Sequence, residues 1–87
     1  MIFNHVILNE QEYEVEGQIR ETDEREIRAS FNSLSLGNEL KQYHETNKKI
    51  ELILFKQDDD VKFKAENIVI DKLTIDNYGY RASFKEL

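Results

Sequence analysis

The sequence predicts an all-β fold with one short helix: a small antiparallel β-barrel or β-sandwich of six to seven strands. Three observations lead there. Apolar and polar residues alternate with period two over most of the chain, as in Tyr13, Val15, Gly17 and Ile19 against Glu12, Glu14, Glu16, Gln18 and Arg20. Short polar clusters at Asn9–Gln11, Thr22–Arg25, Asp58–Asp60 and Asp76–Gly79 interrupt that alternation at hairpin intervals. Helical spacing shows in one place only, where Leu40, Tyr43 and His44 fall at i, i+3 and i+4.

A first strand is expected over Ile2–Leu8, with Val6 and Leu8 on one face and Phe3, His5 and Ile7 on the other. After the turn at Asn9–Gln11, a second strand is expected from Glu12 to Glu21, reversing at Thr22–Arg25. Ile27, Ala29 and Phe31 resume strand phase, and the apolar positions then shift to Leu34 and Leu36, which reads as a bulge near Asn32 and Ser33. Gly37 ends the extended pattern, and Asn38 caps a short helix running to about Thr46. Asn47, with its tolerance of left-handed backbone, and Lys48 and Lys49, which complement the helix dipole, suit the C-terminal end.

Ile50–Phe55 is apolar on both parities and reads as a central strand covered on both sides. Beyond the Asp58–Asp60 turn, Val61, Phe63 and Ala65 alternate with Lys62, Lys64 and Glu66. The inward set then moves to Ile68 and Ile70, and again to Leu73 and Ile75, so bends or bulges are expected in a long ribbon. Tyr80, Ala82 and Phe84 form a last strand. With no proline and no linker-like stretch, residues 1–87 read as a single domain. Three strands, a helix and further strands also match the order of an OB-like barrel, which many unrelated small β proteins share, so the order carries no function.

Composition narrows the function classes. A chain of 87 residues has a thin core, which oligomerisation would reinforce. The absence of cysteine excludes disulfides and thiolate metal sites, and fits a cytoplasmic setting. No basic segment precedes the short apolar run after Met1, and no eighteen apolar residues are consecutive, so neither a secretory leader nor a membrane span is expected. The formal charge of -6 is concentrated: residues 1–26 carry eight acids against Arg20 and Arg25, whereas residues 27–87 carry ten acids and ten bases. Such an acidic region repels nucleic acid and anionic membranes, so direct binding of either is not expected.

Signals for catalysis are weak. His5 and His44 lack the spacing of a metal pair, so no metal is expected. Ser30, Ser33, Ser35 and Ser83 lie in apparent strands without a G-x-S-x-G turn. Asp58–Asp60 lacks the spaced pattern of a calcium loop and reads as a solvated turn. Gly17, Gly37 and Gly79 are isolated: Gly17 suits a close backbone approach and Gly79 a positive φ. Tyr80 and Phe84 read as core, with Tyr78 covering the core edge. Lys62, Lys64, Lys72, Arg81 and Lys85 are interleaved with acids and suit cross-strand pairing.

The feature with functional promise is acidic. Glu12, Glu14 and Glu16 on one strand face would stand about 6.6 Å apart, and with Glu21, Asp23 and Glu24 they form the expected partner-binding set. The expected function is a non-enzymatic protein-binding or assembly module without a cofactor, with a protein partner or further copies of the chain. The alternative is an acidic, nucleic-acid-mimicking inhibitor of anti-defence or anti-restriction type, since the carboxylate spacing approximates that of successive phosphates. Usage rich in Lys, Asn and Ile without Pro or Trp is compatible with an A+T-rich bacterium or its phage, in which case a virion-associated location is the alternative to the cytoplasm.

Overall fold

Alternating apolar residues place the chain in eight strands and one helix in the computed structural model, which describes residues 1–24 and 26–87. The elements are β1 (Ile2–Phe3), β2 (His5–Leu8), β3 (Gln11–Tyr13), β4 (Gly17–Glu21), β5 (Ile27–Phe31), α1 (Leu34–Glu45), β6 (Ile50–Gln57), β7 (Asp60–Asp76) and β8 (Gly79–Glu86). They form one sheet in the order β1-β4-β5-β8-β7-β6-β2-β3. Every pairing is antiparallel. The sheet is not closed into a barrel; it folds over on itself as a sandwich-like all-β body.

Two corners make that folding. The 17-residue β7 pairs with β6 through Asp60–Ile68 and with β8 through Ile68–Asp76, so one strand serves both halves of the sheet. Its two expected phase changes are present: Asn67 takes φ 52°, and the register with β8 shifts between Ile70 and Lys72. The other corner lies between Phe3 and Asn4, where the chain leaves β4 for β6. Met1 and Ile19 exchange backbone hydrogen bonds on one side, and the Asn4 N–H donates to the Lys56 carbonyl (2.9 Å) on the other. The expected single strand Ile2–Leu8 is therefore two strands. Phe3 is buried with Val6 and Leu8 rather than opposite them, because the switch at Asn4 resets the alternation.

The expected strand Glu12–Glu21 is also two. β3 ends at Tyr13 and β4 starts at Gly17, at well-separated places in the sheet order, and Glu14–Glu16 cross between them with Val15 buried. These two splits account for eight strands where six or seven were expected. The residues of the reversal after β4 are described except Arg25, which lies outside the described residues. There the Thr22 hydroxyl accepts from the Glu26 N–H at 3.2 Å.

The helix starts earlier than its pattern indicated. Ser33 is its N-cap, with Oγ accepting from the Leu36 N–H at 3.3 Å, so Leu34–Leu36 are helical rather than a bulged strand. Leu36, Gly37, Leu40 and Tyr43 form the buried face. Gly37 is thus inside the helix, and a Cβ there would overlap the ring of Tyr80, which itself stacks on Phe31 with centroids 5.4 Å apart. At the other end Asn47 takes φ 52° and the Lys48 N–H donates to the Tyr43 carbonyl at 2.9 Å, as expected from the Asn-Lys-Lys run.

Nineteen apolar residues form one core in which Phe3, Phe55 and Phe84 are fully buried, each worth about 1.5–3 kcal/mol relative to exposure. Phe3 from one half of the sheet meets Phe55 from the other edge to face, centroids 4.9 Å apart. On β6, Ile53 and Phe55 are buried on one face, and on the other Ile50 is buried while Leu52 and Leu54 are half-buried, so cover is full on one side and partial on the other. Ile75 and Tyr78 are exposed rather than packed, because β7 runs past the core before turning into β8. Tyr80 is half-buried against the core.

Candidate functional site

The expected acids reach solvent from different elements. Glu12 projects from β3, its Oε1 3.6 Å from His5 Nε2 on the neighbouring strand. Glu14 and Glu16 lie on the crossing between β3 and β4, Glu21 ends β4, and Asp23 and Glu24 belong to the reversal that follows; all six are exposed. Glu21, Asp23 and Glu24 are neighbours, but Glu12, Glu14 and Glu16 do not line one strand, so the regular spacing expected of them has no strand to set it.

Internal ion pairing divides the chain. Lys41–Glu45, Lys62–Asp60, Lys64–Glu66, Arg81–Asp76 and Lys85–Asp71 all form within residues 27–87. Only Arg81–Asp76 and Lys85–Asp71 are cross-strand; the two β7 pairs run along the strand, a correction to the expected use of Lys62 and Lys64. Among the described residues, Glu14, Glu16, Glu21, Asp23 and Glu24 have no such cation.

A second arrangement appears only in the folded chain. The registers of β4, β5, β8 and β7 align their outward residues in two rows. One row is Gln18, Ser30, Arg81 and Thr74; the other is Arg20, Arg28, Ser83 and Lys72. Between them alternate the inward residues, such as Ile19, Ala29, Ala82 and Leu73. The outward rows floor a broad depression of about 990 Å³. Carboxylates stand at its rim, where Glu26 binds Arg28 (Nε to Oε1, 3.3 Å) and Asp76 binds Arg81 (3.4 Å). Hydrogen bonding by Arg28, and next by Ser83, holds the Glu26 carboxyl below its ordinary range.

The sequence pattern pointed to Lys72 and Arg81 as pairing residues and passed over Arg20 and Arg28. Their shared parity with Gln18 and Ser30 is a local signal that they face outward. That they meet Lys72 and Arg81 follows only from ladders joining distant segments.

The histidines and serines are dispersed. His5 is on β2 and His44 on α1, while Ser33 and Ser35 belong to the helix cap and helix rather than to strands. Among the described residues, no three or more His, Asp or Glu converge in a metal-binding group, and no helix is long and apolar enough to cross a membrane. Comparison of the chain with protein-family models, curated proteins and solved structures returns no match to any of them.

Proposed function

We propose that this protein is a non-enzymatic binding module that docks on another protein through charge, with Glu12, Glu14, Glu16, Glu21, Asp23 and Glu24 among the groups that meet the partner. The observation carrying this reading is the uneven use of charge. Among the described residues, five of the ten cations of residues 27–87 pair with acids of that part, which balances its ten acids with ten bases, whereas Glu14, Glu16, Glu21, Asp23 and Glu24 face water without an internal cation in a region of eight acids and two bases. Carboxylates left in this state steer a cationic partner and accelerate its encounter, with an effect that fades as salt rises.

The nucleic-acid-mimicking reading rests on the net charge of residues 1–26 and on regularly spaced carboxylates along one strand; the break at Glu14–Glu16 takes away the second ground, and the first is shared with the docking reading. The test is retention of a protein partner on immobilised protein across a salt series, comparing the natural chain with E12Q/E14Q/E16Q and E21Q/D23N/E24Q. Weaker retention by these variants, with a shallower salt dependence, supports the reading. Unchanged retention with a flat salt response overturns it.

A further inference from the structure

The geometry points to the outer face of β4, β5, β8 and β7 as a docking site for a carboxylate-rich, extended segment of a protein partner. This rests on the reading of the protein as a charge-driven binding module and adds a second face of opposite character. Its eight floor residues comprise four cations (Arg20, Arg28, Lys72 and Arg81), three hydroxyls and one amide, with neither an acid nor an apolar side chain among them.

Arg20 and Arg28 are direct cross-strand partners, a like-charge placement that costs stability unless an anion lies between them. Glu26 offsets only Arg28, and among the described residues Arg20 and Lys72 have no ion-pair partner. Guanidinium forks and hydroxyls together are suited to accepting oxyanions.

Pitch and rim select the occupant. No strand places two cations on this face; Arg20, Arg28 and Lys72 share one row that crosses the strands, where neighbouring strands stand about 4.8 Å apart, so an extended segment lying across the strands meets three of the four cations. The rim carboxylates Glu16, Glu26, Asp71 and Asp76 confine favourable potential to the floor, and with a net charge of -6 they repel a long polyphosphate that must cross the rim. A short carboxylate-bearing segment meets the cations without that crossing.

The experiment is fluorescence anisotropy with a labelled peptide of alternating glutamate and serine, and in parallel a labelled twelve-nucleotide oligothymidine. The natural chain is compared with R20Q/R28Q, with K72Q and with K49Q, each checked for folding by circular dichroism. Saturable peptide binding that weakens about tenfold or more in R20Q/R28Q, falls in K72Q and is retained in K49Q, which removes an exposed cation outside both charged faces, supports the inference. Tighter binding of the oligothymidine through the same arginines, no binding of either probe, or concentration-dependent self-association lost in R20Q/R28Q would each overturn it. Loss of partner retention in the acidic variants alone leaves the charge-driven module standing while this inference fails.

Discussion

Arg20 on β4 lies directly across the ladder from Arg28 on β5, and only Arg28 has a carboxylate, that of Glu26, at ion-pair distance. Two guanidinium groups held side by side on a sheet face repel each other in the free protein and become an asset when an oxyanion joins them. This relationship ties the strand register to the binding reading.

Converting the pair to opposite charges should stabilise the free protein. R20E is expected to raise stability by about 0.2–1 kcal/mol at low salt, with the gain shrinking as ionic strength rises. Urea denaturation at two salt concentrations measures it. A loss of stability in R20E at low salt would mean that Arg20 and Arg28 are not neighbours.

Gly37 should resist a substitution that ordinarily helps a helix. Alanine gains about 1 kcal/mol in propensity over glycine. Here its Cβ would overlap the Tyr80 ring, which cannot give way without loosening its stack on Phe31. Overpacking costs about 1–3 kcal/mol, so G37A is expected to lower the denaturation midpoint. A raised midpoint would show that the helix does not approach β8 this closely.

Much of this fold was legible, and its misreadings have physical causes. Ile27, Ala29 and Phe31 are all buried at alternate positions, and Asn9 and Glu10 make the expected hairpin turn with φ 45° and 73°. Period two, however, reports which side of a strand faces inward and nothing about which neighbour pairs with it. Tyr13, Val15, Gly17 and Ile19 keep the same phase across a break where the chain changes partners. Leu34 and Leu36 fit a bulged strand as well as a helix, and the decisive signal was the capping hydroxyl of Ser33. Exposure of the acids was readable from alternation. The assembly of Arg20, Arg28, Lys72 and Arg81 was not, because the long-range ladder of β5 with β8 joins two separate hairpins to create it.

Acid and alkali should probe two different environments. Since Arg28 and Ser83 hold the folded Glu26 carboxyl below its ordinary value of 4.5, the resulting stability is complete above that value and is lost as pH falls through the lower folded one. E26Q should therefore lose less stability than the natural chain below about pH 5. Tyr13 behaves oppositely. Burial first, and then Glu39 and Tyr43, push its hydroxyl above 10.0, so its contribution is complete below 10.0 and is lost as pH rises through the higher folded value. Phenolate absorbance of the natural chain against Y13F would show Tyr13 ionising late. Ionisation of Tyr13 at or below its ordinary value would contradict its half-buried placement.

Backbone amide shift mapping with the alternating glutamate–serine peptide shows where on the sheet an acidic segment docks. Saturable shifts are expected on β4, β5, β8 and the second half of β7, centred on Arg20, Arg28, Lys72 and Arg81. Shifts centred on β2, β3 or β6, or shifts that do not saturate, would contradict that expectation.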